Sequence, residues 1–155
     1  PTWACLVPEK RQEVTTEGGL DVQKNRKRLL PTLTALRTKG IRTSLFIEPD
    51  LQAIRMAREL GADAVEIHTG SFARKKAKAQ SIERDRIFKV CQIAKGLGLH
   101  VHAGHGLDYQ NVRLLLLPGD DLIEEFNIGH SIVCRATEVG LERAVREMVS
   151  AISAP

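Results

Sequence analysis

Aromatic residues are scarce: four Phe, one Trp and one Tyr in 155 residues. Ring stacking, the usual way to hold single-stranded nucleic acid, therefore has little to work with. Cysteine is scarce too. Cys5, Cys91 and Cys134 stand at unrelated spacings with no C-x-x-C. An odd, scattered set is neither a disulfide framework nor a zinc site, and it suits a reducing cytosol. No apolar run, Leu114–Leu117 included, approaches the roughly 20 residues that cross a bilayer. Nor does a basic start lead into an apolar stretch and a small-residue cleavage site, so no secretory signal is visible. No G-x-G-x-x-G follows a strand-like run, which argues against a dinucleotide-binding domain. Neither sign of charge dominates, since 23 Lys and Arg against 19 Asp and Glu leave +4. That excess suits a phosphorylated metabolite as readily as a nucleic acid. With 43% hydrophobic and 27% charged residues, the chain is neither disordered nor collagen-like nor a coiled coil. Its length predicts a single domain over residues 1–155.

The chain opens Pro-Thr-Trp-Ala-Cys-Leu-Val-Pro, apolar from the outset and without Met, and reads as part of a longer protein entered inside a buried element. Strands are predicted at Trp3–Val7, Ile41–Ile47, Ala64–Ile67, His100–Ala103 and Ile123–Ile128. Helical periodicity covers Val22–Lys39, with Leu29, Leu30, Leu33 and Leu36 on one side and Pro31 implying a kink or a late start. It returns at Leu51–Leu60 behind the N-cap candidate Asp50, then at Ser81–Leu97, Tyr109–Leu117, Ser131–Glu138 and Leu141–Ile152. Glu9–Gly19 is a polar loop, and Ser71–Gln80, with Arg74, Lys75, Lys76 and Lys78, reads as a solvated basic one.

Three helix-to-strand junctions share one form: Lys39-Gly40-Ile41, Leu60-Gly61-Ala62 and Leu97-Gly98-Leu99. Gly just past the helix supplies a left-handed cap. Alternating β and α units imply a parallel sheet covered by helices. Five units in 155 residues average about 31 each, and eight of that size make the ~250 residues of a (β/α)8 TIM barrel. The expected fold is α/β, a TIM barrel represented by its last five units or so.

Barrel chemistry sits at the C-terminal ends of the strands. His68, His102, His105 and His130 fall there, while His100 falls at a strand start and reads as packing or surface. Glu66 alternates with Ala64 and His68, so the three share one strand face. A carboxylate facing a barrel interior must be paired or working, and a structural ion pair with His or Arg is the plain alternative. His105 stands between Gly104 and Gly106, where an imidazole can exchange protons near neutrality. Metal binding is the rival reading of clustered His, weakly supported without H-x-x-x-H on a helix. Gly106 and the turn Asn127-Ile-Gly-His-Ser131, running into a short helix, match the phosphate site common after the last two barrel strands.

Five stretches carry a resemblance: Cys5–Val22, Ser44–Ile47, Glu66–Gly70, Ala103–Leu107 and Asn127–His130. In them the chain resembles the pyridoxine 5'-phosphate synthase family of deoxyxylulose-dependent vitamin B6 biosynthesis. The resemblance implies condensation of 3-amino-2-oxopropyl phosphate with 1-deoxy-D-xylulose 5-phosphate, releasing phosphate and water, with no metal or organic cofactor. It implies a cytoplasmic homo-oligomer, an octamer in the family, with no nucleic-acid or membrane partner. By position, Thr15 would bind the deoxyxylulose phosphate and Glu66 would stabilise cationic intermediates. His105 would donate protons, and Gly106, Gly129 and His130 would bind the aminoketone phosphate. The family's first three strands, with a general-base Glu, a second catalytic His, an Asp-His pair and substrate-gripping Arg residues, have no counterpart in this sequence. The chain alone is therefore expected to be inactive. His102 has no assigned role. Two other readings remain: a different phosphate-binding barrel enzyme, and a non-catalytic phosphate-binding partial barrel or interaction fragment.

Overall fold

A computed structural model describes residues 1–8, 18–116 and 122–153. The strands are β1 Trp3–Leu6, β2 Arg42–Ile47, β3 Ala64–His68, β4 His100–Gly104 and β5 Glu125–Asn127. Between and after them run the helices α1 Val22–Thr38, α2 Leu51–Glu59, α3 Gly70–Arg74, α4 Ala77–Gly96, α5 His130–Val139 and α6 Leu141–Ser153. A single 3-10 turn spans Val112–Leu115.

Each helix starts and stops for local reasons. Asp21 and Asp50 accept the N–H groups of Lys24 and Ala53, capping α1 and α2. The three glycine junctions close as the sequence predicts. Gly40, Gly61 and Gly98 sit at φ of 68°, 79° and 74°. The residue after each donates back to the carbonyl five positions earlier, Ile41 to Leu36, Ala62 to Ala57 and Leu99 to Ala94. This is the Schellman arrangement, and it aims the chain straight into the next strand.

All five strands are parallel and pair in sequence order. Leu45, Ile47, Val65, Ile67 and Val101 point to one face and join Leu29, Leu33, Ile54, Ile87 and Val90 in a continuous core. The register puts Trp3, Cys5, Ser44, Phe46, Glu66, His68, His102 and Asn127 on the opposite face. That face is concave. Strands β1 and β4 would stand about 14 Å apart in a flat sheet with two strands between them. Yet the Trp3 ring lies 5.4 Å from that of His102 and 5.9 Å from that of His100. The structure is thus a curled parallel half-barrel backed by helices.

Several expectations need correction. The basic segment 71–80 is mostly helical: Phe72 is fully buried in α3, and α4 begins at Ala77, because Ala77-Lys-Ala-Gln80 are strong helix formers. Nor is Lys75 merely solvated, since it pairs with Glu83, a carboxylate only 4% exposed that also holds Arg86. The apolar stripe of α1 excludes Leu30, which is half-exposed, and the helix runs through Pro31 on its exposed side. The segment near Tyr109 forms only the 3-10 turn, and β5 is three residues long; its predecessor Glu124 turns its side chain to Lys95 and His100 instead.

The caps can be checked by two substitutions of opposite sign. A Cβ at Gly98 or Gly96 would meet no atom within 4 Å, and only Gly98 has positive φ. Gly98→Ala should cost about 1–2 kcal/mol from left-handed strain alone, whereas Gly96→Ala should stabilise by up to ~1 kcal/mol through helix propensity. Equilibrium denaturation midpoints of the two variants measure both.

Candidate active site

The C-terminal ends of β3, β4 and β5 meet over one cavity of about 480 Å³. Glu66, His105, Gly106, Gly129 and His130 line it, together with Phe46 and Asn127. Five of the six residues singled out in the sequence therefore share one hollow. The sixth, Thr15, lies outside the described residues.

Glu66 rises from the middle of β3 and is 8% exposed. Its Oε2 accepts the Cys5 thiol at 3.3 Å. A Cβ on Gly104 would land on its Oε1, so the glycine is what leaves room for the carboxylate. No cation pairs with Glu66 among the described residues. Burial pushes its carboxyl above the ordinary carboxylate range and the Glu125 charge adds to this, while hydrogen bonds from Cys5 and Asn127 oppose it.

The loop after β4 is fixed from three sides. Thr69 offers its hydroxyl to the carbonyls of Gly104 and His105 at 2.7 and 2.6 Å. Asn111 donates to the Gly106 carbonyl at 3.2 Å. Ser131, in the first turn of α5, donates to the Leu107 carbonyl at 2.8 Å. Within this clamp His105 holds φ of 82° and Gly106 of 75°. Positive φ is uncommon for a residue with a side chain and signals a conformation imposed by its surroundings. His105 is half-buried. Burial, followed by the charges of His68 and Arg74, lowers its imidazole pKa. These influences favour the neutral, proton-accepting form of the ring.

Opposite stands the N-terminus of α5. Gly129 is its N-cap, and no side chain caps the first turn. Uncapped N–H groups at a helix start attract anions. The arrangement can therefore hold an anionic group at α5 while a carboxylate and an imidazole act on the atoms beside it.

The other histidines separate by position. His102 lies within β4 rather than at its end, buried beneath Trp3, with Glu125 3.9 Å from its Nδ1. His100 pairs with Glu124 on the rim of the opposite end. His68 is buried against Phe46 and His105 and bonds to Glu48. Sequence reasoning did not single out Glu48, Asn127 or Cys5 as individual groups. For Asn127 a signal existed, its place in the Asn-Ile-Gly-His turn; for Glu48, twenty residues from its partner, none did. Among the described residues no cluster of three or more His, Cys, Asp or Glu could hold a metal ion, and no helix is long and apolar enough to cross a membrane.

Comparison with known proteins adds an independent line. The family model described as pyridoxal phosphate biosynthesis protein PdxJ matches residues 1–154. Similar curated proteins include the pyridoxine 5'-phosphate synthases of Trichlorobacter lovleyi, 52% identical over 156 aligned residues, and of Bdellovibrio bacteriovorus, 49% identical over 149. That of Akkermansia muciniphila is 47% identical over 152. The alignments cover 100%, 96% and 98% of this chain but 64%, 61% and 61% of those proteins. The chain thus spans about three-fifths of the length of the relatives it matches.

The Glu66 environment makes a pH prediction. A carboxyl whose pKa is raised in the folded state binds its proton more tightly there than when unfolded. Its contribution to stability therefore falls as pH rises from the unfolded value of 4.5 through the folded one. Glu66→Gln removes the buried charge, so the variant should be the more stable at pH 7, by roughly 1.4 kcal/mol for each factor of ten by which folding tightens proton binding. The gap should close below pH 4.5. Denaturation at a series of pH values measures it; an unchanged gap across that range would contradict the burial argument.

Proposed function

The chain belongs to the PdxJ family, and we propose that the protein it forms is a pyridoxine 5'-phosphate synthase. In this reading 3-amino-2-oxopropyl phosphate condenses with 1-deoxy-D-xylulose 5-phosphate to give pyridoxine 5'-phosphate, inorganic phosphate and water. The curled sheet is then part of a (β/α)8 barrel, with residues 1–155 forming one domain of it. The protein is a homo-oligomer of the cytoplasm, takes no metal or organic cofactor, and has small phosphorylated molecules as its partners.

One observation carries the reading: a single cavity gathers a buried carboxylate, a clamped imidazole and an uncapped helix N-terminus. Imine formation, dehydration and ring closure are proton transfers around a carbonyl. They need one group that moves a proton and one fixed charge that favours a developing cation. His105 is assigned the first task, and its left-handed backbone holds the ring over the hollow. Glu66 is assigned the second. Its carboxylate costs free energy without a cation, so an iminium forming beside it is stabilised more than the neutral ketone. Gly106, Gly129 and His130 hold the aminoketone phosphate, with the N–H groups of α5 meeting its oxygens. Thr15, by resemblance, serves the deoxyxylulose phosphate.

A non-catalytic phosphate-binding partial barrel is the alternative, and two substitutions in the intact protein separate the readings. His105→Asn keeps hydrogen bonding but cannot shuttle a proton. It should cut turnover by about 100- to 10,000-fold while phosphate affinity changes only a few-fold. Gly129→Val should do the reverse: among the described residues no atom lies within 4 Å of a Cβ there, so the added side chain should displace the phosphate without disturbing the fold. Steady-state kinetics and phosphate binding measure both. Turnover within threefold of the parent in His105→Asn would remove its assignment as proton donor.

A further inference from the structure

The mechanism above gives no role to His68, a buried titratable group beside His105. His68 ends β3 on the concave face and is 3% exposed. Its Nδ1 lies 2.6 Å from Oε1 of Glu48, the residue that follows β2. The same oxygen accepts the Gly19 backbone N–H at 2.9 Å. The hydrogen bond from His68 holds the Glu48 carboxyl below its ordinary range against the opposing effect of burial. An ionised carboxylate can only accept, so Nδ1 carries a proton and the ring is fixed in orientation.

That leaves Nε2, which is buried and has no hydrogen-bond partner among the described residues. It faces a narrow space shared with His105. A Cβ on Gly70 would meet His68 Nε2 at 2.6 Å and His105 Cδ2 at 3.3 Å. The two imidazole centroids are 5.0 Å apart, with the rings inclined at 63°. Phe46 closes the other side, its ring 5.2 Å from that of His68 and 6.2 Å from that of His105. A buried polar atom left unpaired is costly. An apolar side chain filling the same space would avoid that cost, so packing alone does not account for an imidazole here.

We infer that Glu48 and His68 are a positioning pair for His105: the carboxylate holds the first ring, and the first ring holds the second in its orientation over the cavity. The inference rests on the proton-transfer role proposed for His105. The charged and titratable groups around that ring are His68 on β3 and Arg74 on α3, with Glu48 behind His68 and with Glu66 and His130 lining the same cavity. After burial, His68 is the main influence that lowers the His105 pKa. Removing the His68 ring should therefore raise it.

The test uses the intact protein with isotope-labelled histidines and two variants. Glu48→Gln is isosteric and keeps an acceptor for Gly19, but its amide no longer dictates which nitrogen of His68 is protonated. His68→Asn removes the ring and retains a donor for Glu48. In the parent, the short Nδ1–H to carboxylate bond should give a far-downfield proton resonance, which both variants lose. The His105 titration midpoint should move upward in His68→Asn. Turnover should fall in both by up to about 100-fold, the effect of a misoriented reacting group, with KM within threefold. A structural role alone would leave the His105 midpoint and the split between turnover and KM unchanged. If the downfield proton is absent from the parent, or if both variants keep the parent's His105 midpoint and turnover, the inference is wrong. If the resonance and midpoint respond but His105→Asn retains full turnover, the pair stands and the proton-donor assignment falls instead.

Discussion

Parallel pairing of consecutive strands is the constraint on which this molecule depends. Because side chains alternate with period two, pairing β1 to β5 in order sends Leu45, Ile47, Val65, Ile67 and Val101 to the helices. It leaves Cys5, Phe46, Glu66, His68 and Asn127 on the other side. Because every strand runs the same way, all the C-terminal ends reach one rim. Curling then closes the distance between strands that do not touch. Cys5 on β1 bonds to Glu66 on β3, and the Trp3 ring reaches the rings on β4. A register slip of one residue in β3 would put Glu66 into the apolar layer and Ile67 into the cavity.

Small residues set where the polar groups can sit. Gly104 makes room for the Glu66 carboxylate and Gly70 for the facing edges of His68 and His105. A Cβ on Gly106 would press on Ala73 of α3 at 2.8 Å. The rim is therefore tight beneath the cavity and open above it, where a Cβ on Gly129 would meet no atom of the described residues within 4 Å. That asymmetry suits a site whose reacting groups are fixed and whose anion enters from solvent.

Much of this could be read in advance, for identifiable reasons. The Gly40, Gly61 and Gly98 caps are local chemistry, and local chemistry is what a sequence states most directly. The shared face of Ala64, Glu66 and His68 follows from alternation alone. Segment 71–80 was misleading because its lysines suggest solvent, whereas Lys75 neutralises a buried Glu83 and its alanines favour helix. Glu48 was illegible for a different reason. It ends one strand and bonds to the end of the next, so only the register between β2 and β3 reveals the contact.

The five histidines show why residue type alone could not single out the group proposed here to transfer protons. His100 is committed to a hydrogen bond with Glu124 outside the cavity, and His102 lies under Trp3. His68 is buried with one nitrogen bonded to a carboxylate. His130, exposed at the first turn of α5, has Cys134 3.6 Å from its Nε2 and stands where an anion would enter. His105 alone combines partial burial, a lowered pKa, a clamped left-handed backbone and a place in the cavity wall with Glu66. The surroundings that lower its pKa favour the neutral, proton-accepting form of the ring. In the proposed reading an anion at the α5 N-terminus would raise that ring's proton affinity, which would link anion binding to proton movement.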